Sequence, residues 1–224
     1  MCKLSIIVPV LNEQDTIKAC LSRLQYLRKA GHEIIVVDGG SQDNTLSIAS
    51  SLSDFLIKSK KSRSIQMNAG ANKASGDFLI FLHVDTILPA RIHDLISQIY
   101  DRNIKWGRFD LTLSGQHFFF RVIEKCINIR SRLTGIATGD QVIFVEKEVF
   151  NEINGFPEIA LMEDIAISKS LLKYSKPACL KEKVVSSSRR WEKNGILKTI
   201  LKMWVLRLLY FFHYDTNRLE KIYS

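Results

Sequence analysis

The chain is poor in the features that identify many protein classes. Its 224 residues hold only 4 Pro and 11 Gly, which excludes collagen-like and linker compositions. No run of 18 apolar residues occurs, so no membrane span is expected. The opening Met1-Cys2-Lys3-Leu4 runs straight into a strand pattern without the apolar stretch of a signal peptide. The 4 cysteines, Cys2, Cys20, Cys126 and Cys179, make no Cys-x-x-Cys clip and have no zinc-ligand spacing. They read as reduced thiols of a cytoplasmic protein. No Gly-x-Gly-x-x-Gly follows the first strand pattern, and no Gly-Lys-Ser/Thr loop exists. Those absences argue against a dehydrogenase and a P-loop ATPase.

What is present is an ordinary globular composition, 46% hydrophobic and 25% charged, which excludes disorder as a description of the whole chain. The formal charge is +9. It concentrates late: residues 181–224 carry ten basic and four acidic side chains, net +6. Such an excess draws a protein to anionic partners, whether a membrane surface, a phosphate-bearing substrate or nucleic acid.

Apolar β-branched runs at Leu4–Val10, Glu33–Val37, Phe55–Lys58 and Phe78–Leu82 read as strands. Between them, helical spacing marks a helix that opens at Asn12 to Asp15 and is stopped by Gly31, and helices over Asn44–Leu52 and Ser62–Ala74. Strand and helix alternating in this way predict a parallel sheet with right-handed crossovers. Its chemistry belongs at the carboxyl ends of the strands, where Asn12-Glu13, Asp38 and Asp85 fall. Beyond Pro89 the spacing predicts helices over Arg91–Tyr100, His117–Arg132 and Glu163–Lys173. It also predicts a half-exposed strand through Phe109–Leu113, and strands at Gln141–Val145 and Val184–Ser188. Ile196–Phe212 reads as a helix that is apolar nearly all round from Met203 onward, with basic flanks. Such a helix must be covered by a core, a second subunit or lipid.

Four motifs in order resemble the family 2 glycosyltransferases, whose fold is called GT-A. They are Phe81-Leu82-His83-Val84-Asp85-Thr86, Gly139-Asp140-Gln141, Glu163-Asp164 and Ser187-Ser188-Arg189-Arg190-Trp191. They match a short subgroup of that family, and the resemblance runs from about Leu4 to Tyr210. It implies a single α/β GT-A domain with a Rossmann-like, mostly parallel central sheet flanked by helices. Residues 1–195 would form it, with a nucleotide-binding half at 1–88 and an acceptor half at 89–195. Residues 196–224 would be a C-terminal helical extension.

The resemblance implies an inverting transfer of a sugar from a nucleoside-diphosphate-sugar, by default a uridine one, to a hydroxyl or carboxyl acceptor. Pro9, Val10, Leu11 and Glu13 would line the base and ribose pocket. Asp38 either accepts hydrogen bonds from base or ribose, with Gly39 allowing close approach, or merely closes an Asx turn. Arg63 would meet the nucleotide unless it is only part of the basic cluster with Lys58, Lys60 and Lys61. Asp85 would hold a divalent metal, Mn²⁺ or Mg²⁺, because a hard cation neutralises the charge gained by the leaving diphosphate. The family's Asp-x-Asp reads His83-Val84-Asp85 here, so His83 either assists the metal or packs beneath the nucleotide. Asp164 would be the base, with Glu163 the second choice, unless both only complement a helix dipole. Gly139, Asp140 and Gln141 lie between donor and acceptor or form a backbone turn. Arg189 and Arg190 suit pyrophosphate, and Trp191 suits a sugar face. The expected partners are a nucleotide-sugar, an acceptor that is lipid-soluble, and a membrane surface at the inner face of the cell membrane or a homodimer. The alternatives are a nucleotidyltransferase, which lacks its glycine- and lysine-bearing loop after the first strand, and a basic nucleic-acid-binding protein, for which no module is present.

Overall fold

A computed structural model describes residues 2–223; Met1 and Ser224, the ends of the expected domain and extension, lie outside the described residues. The first half alternates as its periodicity predicts. It runs β1 (Leu4–Val10), α1 (Gln14–Lys29), β2 (Glu33–Asp38), α2 (Thr45–Ser50), β3 (Phe55–Lys58), α3 (Arg63–Lys73) and β4 (Phe78–Phe81). The second half runs α4 (Ile92–Asp101), β5 (Trp106–Leu113), α5 (Phe118–Thr134), β6 (Ile143–Glu146), α6 (Lys147–Glu152) and α7 (Glu163–Leu172). It ends with β7 (Ala178–Ser186), α8 (Arg189–Asn194), α9 (Ile196–Phe211) and α10 (Thr216–Tyr223).

The strands form one sheet in the order β3-β2-β1-β4-β6-β5-β7. β1 pairs in parallel with β2 and β4, and β2 with β3. β6 runs antiparallel between β4 and β5, and β7 returns parallel to β5. Pro9 is tolerated in central β1 because it lies past Ile7, the last residue of β1 paired with β4.

Both faces of the sheet are covered, which is why β1, β2 and β4 read as continuous apolar runs. One core joins Ile6, Val8, Ile34, Val36 and Ile80 to Leu21 and Leu24 of α1 and Phe120 of α5. The other joins Ile7, Ile35, Leu79 and Val145 to Met67 of α3 and Ile167 of α7. α3 lies so close to the sheet that a Cβ on Gly70 would stand 2.5 Å from Ile7 Cγ2.

The structure corrects several expectations. β5 is not half-exposed: its polar residues point beneath α5 and are satisfied there. Arg108 is fully buried, donating from Nε to Ser131 Oγ at 3.0 Å, from Nη2 to the Asn128 carbonyl at 3.2 Å, and from Nη1 to Asp110. Gln141 lies in a 3₁₀ turn (Gly139–Gln141), and β6 begins only at Ile143. β7 begins at Ala178 and stops before Ser187. α9 is not covered all round. Leu206 is fully buried, and Met203, Leu209 and Tyr210 pack with Met162, Ile165 and Leu219. Leu197, Leu201, Trp204, Leu208 and Phe211 form an exposed stripe along its other side, with Trp204 73% accessible.

Candidate active site

A cleft of about 750 Å³ opens over the carboxyl ends of β1 and β4. There the order reverses: β1 leaves for β2 through α1, packed in one core, whereas β4 is reached from β3 through α3, packed in the other. Pro9, Val10, Leu11 and Glu13 line one wall, and His83 and Asp85 line the floor beyond β4. Arg63 enters from the first turn of α3, and Gly139 and Asp140 from the 3₁₀ turn. Glu163 and Asp164 stand at the start of α7, and Arg190 and Trp191 close the rim from α8. Residues far apart in sequence therefore meet in one cavity.

The carboxylates of this cavity have distinct settings. Asp164 accepts the Gly139 N–H on Oδ2 at 3.1 Å and the Ile165 N–H on Oδ1 at 2.8 Å. Asp140 Oδ1 faces His83 Nδ1 at 3.3 Å. Burial pushes the Asp140 carboxyl up, but the His83 hydrogen bond and charge, with Arg63 and Arg190, outweigh it and hold it below the ordinary range. Glu163 is shifted the other way, raised by burial and then by the charge of Asp164 beside it. Asp85 makes no hydrogen bond or ion pair among the described residues, so its carboxylate is free to receive a cation. A Cβ on Gly139 would stand 2.6 Å from His83 Cε1, so the turn and the imidazole meet only because that residue is glycine. The residue capping α7, Met162, has φ +70°, and Val142, just after the turn, has φ +52°. Side chains rarely adopt that region, and such strain clusters at functional sites.

Four expected residues stand elsewhere. Asp38 is 1% accessible, and its carboxylate accepts the backbone N–H groups of Gly40 at 2.9 Å and Ser41 at 3.0 Å. It closes its own loop and does not line the cleft. Gly39 is covered by Gln66, whose Nε2 donates to the carbonyls of Val10 at 2.9 Å and Val37 at 2.8 Å. Gln141 is fully buried and completes a capping box with Thr138, the backbone-turn alternative. Arg189 is exposed and is not among the residues that line the cleft.

Other residues escaped sequence reasoning. Arg207 of α9 lines the cleft, and Arg130 of α5 lies close enough to feel its charge. Asn217, Glu220 and Tyr223 of α10 also line it. Tyr223 is held by Arg190, whose guanidinium carbon stacks 3.7 Å from the ring centroid, and its carbonyl accepts from Lys202 Nζ at 2.9 Å. α10 is too short for periodicity to show its role.

The residues fit a divalent cation of one particular kind. No group of three or more His, Cys, Asp or Glu side chains forms a cage among the described residues. Asp85, a carboxylate with no hydrogen bond or ion pair among the described residues, faces a cleft large enough for a nucleotide, as does Glu158 at the rim of the same lining. Mg²⁺-like cations are commonly held by one or two carboxylates plus substrate phosphates, so the donor would complete the ligand set.

Comparison with known proteins shows the family and the fold. Residues 5–146 match the family described as Glycosyl transferase family 2, and the chain belongs to that family. It is 28% identical over 156 residues to an undecaprenyl-phosphate 4-deoxy-4-formamido-L-arabinose transferase of Yersinia pestis, covering 62% of this chain and 46% of the relative. The chain thus spans less than half the length of that curated relative. Its fold resembles that of TarS 1-349 from S. aureus in complex with UDP-GlcNAc, with a TM-score of 0.68 and 18% identity over 83% of this chain and 58% of that 1-349 chain. It also resembles the mannosyltransferase PcManGT from Pyrobaculum calidifontis in complex with GDP-Man and Mn²⁺. There the TM-score is 0.62 and the identity 17%, over 83% of this chain and 56% of that one.

Proposed function

We propose that the chain transfers a sugar from a nucleoside-diphosphate-sugar to a lipid-soluble acceptor, with inversion at the anomeric carbon. The observation that carries this is the pairing, in one cleft, of the unpartnered Asp85 carboxylate with the Asp164 carboxylate at the start of α7. The donor base and ribose lie against Pro9 to Glu13, and Arg63 and Arg190 hold the diphosphate. A divalent cation on Asp85 supplies charge neutralisation for that diphosphate. Asp164 takes the proton from the acceptor hydroxyl as its oxygen bonds to the anomeric carbon. The bond from that carbon to the diphosphate oxygen breaks on the opposite face, and its electron pair leaves with the nucleoside diphosphate. The Gly139 N–H fixes one carboxylate oxygen of Asp164 and so orients the other. The same lining supports the reading of residues 1–88 as the donor half and 89–195 as the acceptor half, with 196–224 as an extension that completes the rim.

The exposed stripe of α9 beside a strongly basic segment supports a lipid-soluble acceptor. No helix among the described residues is long and apolar enough to cross a membrane. Attachment at the inner face of the cell membrane is part of the proposal, supported by the basic segment beside the stripe. The Yersinia relative carries undecaprenyl phosphate, a membrane lipid, in its name.

Calorimetry with a panel of nucleoside diphosphates, with and without Mn²⁺, tests the donor site. Uridine diphosphate should bind in a Mn²⁺-dependent manner, and Asp85→Ala should abolish that dependence without lowering the melting temperature. Equal affinity of variant and wild type for the metal complex would remove Asp85 from its role.

A further inference from the structure

The last helix does not lie beside the cleft but in its lining. The chain turns back from α9 at His213, whose φ is +58°, and α10 brings Asn217, Glu220 and Tyr223 to the cavity. These three recur at helical spacing, so one face of α10 looks into the cleft. The end of that helix rests on two cations. Arg190 stacks its guanidinium carbon 3.7 Å from the centroid of the Tyr223 ring, and its Nη2 donates to the Tyr223 carbonyl at 3.2 Å. Lys202 of α9 donates from Nζ to the same carbonyl at 2.9 Å. A helix leaves its last carbonyls without partners inside the helix, and basic side chains suit that negative end. The apolar anchor of α10 is small: Leu219 is its one buried residue, set against Met162, Ile165 and Leu206.

Arg190 is also the rim cation that the donor diphosphate would take, so α10 and the donor compete for one guanidinium. The two competitors are unequal. Tyr223 offers neutral groups, a ring face and one carbonyl oxygen, and that carbonyl engages a single N–H of Arg190. A diphosphate offers several charged oxygens, which a guanidinium binds two at a time. Hydrogen bonds to an ionised acceptor are shorter and roughly twice as strong as those to a neutral one. We propose that α10 is an autoinhibitory strap, whose Tyr223 end occupies Arg190 until a donor diphosphate takes that cation and releases the helix from the cleft. This rests on the donor site proposed above and adds the regulation of that site. The strap lowers the apparent donor affinity in proportion to the fraction of molecules whose α10 is released. It also gives Lys202 a use: its Nζ holds the Tyr223 carbonyl from α9 without lining the cleft, so it favours the strapped form and gives the donor nothing in return.

Hydrogen exchange and calorimetry on the full chain test the strap with three probes: uridine diphosphate, guanosine diphosphate and inorganic pyrophosphate, each with Mn²⁺. The backbone amides of residues 219–223 should exchange about tenfold faster or more when a probe is bound, while those of β1 and β2 do not speed up. Pyrophosphate should release α10 as the nucleotides do, because the diphosphate and not the base takes Arg190. Tyr223→Ala removes the ring from Arg190 and should bind each effective probe about three- to tenfold tighter than wild type. Lys202→Gln, which leaves the cleft lining intact, should shift binding in the same direction. Should Tyr223→Ala fold poorly, Lys202→Gln and exchange in the wild type still decide. Exchange in α10 that slows or stays the same on binding overturns the strap, and so do folded variants that bind no tighter. Slower exchange together with weaker binding by Tyr223→Ala would instead make α10 a lid that closes over the donor. If no probe binds to wild type or to either variant, the donor site itself fails and the strap falls with it. Binding that leaves α10 unmoved overturns the strap alone.

Discussion

At the scale of single residues, the cleft sorts its carboxylates by surroundings. In the proposed transfer Asp164, oriented by the Gly139 N–H, takes the proton. Asp164→Asn keeps the shape and loses the basic oxygen. Turnover should fall on the order of 10²- to 10⁴-fold while donor affinity changes little. Transfer at the wild-type rate would move the base to Glu163. Glu163 itself is the group that burial and Asp164 push upward. A carboxyl raised in the folded state adds stability below its unfolded value and loses it as pH rises through the folded value. Glu163→Gln, neutral at every pH, should therefore melt higher than wild type at pH 7 to 8, and the gap should narrow as pH falls toward 4. A constant gap across that range in thermal melts would show that Glu163 is not strained by its ionisation. Asp38 shows where sequence alone misleads. An aspartate after a strand and before two glycines fits a ribose ligand and an Asx turn equally, and only the positions of the Gly40 and Ser41 N–H groups decide for the turn.

At the scale of elements, the parallel half of the sheet was legible because both faces are buried, which leaves long β-branched runs with helices between them. The second half was less so. β5 carries Arg108 and Asp110, which read as solvent-facing but are partnered beneath α5. β7 opens with Ala178, Cys179, Leu180, Lys181, Glu182 and Lys183 on the edge of the sheet, where charge deters pairing with other chains and hides the strand pattern. α6, α8 and α10 span 6, 6 and 8 residues, too short for a periodic signal. Arg130 gave no sign at all, because nothing in sequence says that a basic residue on a helix will be buried without a partner. One joint between elements can be tested by titration. Glu33 at the start of β2 accepts from Ser5 Oγ on β1 at 2.5 Å, and from the Ser75 N–H at 2.5 Å and its Oγ at 2.8 Å just beyond α3. Burial pushes Glu33 up, but these hydrogen bonds and Lys3 outweigh it and leave it lowered. A lowered carboxyl stabilises above its unfolded value and loses that contribution as pH falls through the folded one. Glu33→Gln should lower the melting temperature at pH 7, with the deficit shrinking below about pH 4. A pH-independent deficit would mean that shape rather than charge holds the joint.

At the scale of the whole molecule, two apolar stripes lie uncovered. On α9, Leu197, Leu201, Trp204, Leu208 and Phe211 repeat at helical spacing, and on α5 Phe118, Val122, Ile129 and Leu133 do the same. Leu133 is 81% accessible and Phe118 74%, values that a residue packed in its own core would not show. Apolar side chains so arranged on helices that also carry Arg121, Lys125, Lys198 and Lys202 suit an anionic bilayer better than a second copy, which would bring its own positive charge to the same face. Each basic residue near an anionic leaflet contributes roughly 1 kcal/mol, so several together give reversible attachment. The protein should float with anionic liposomes at low salt, and that binding should weaken as salt screens the charges. Replacing Leu201, Trp204 and Leu208 together by Gln should cut vesicle binding tenfold or more, with little change in melting temperature because all three are exposed. Light scattering in the same buffers should report a monomer. A salt-resistant dimer that ignores vesicles, and that the triple substitution dissociates, would assign the stripe to a second subunit and move the acceptor off the membrane.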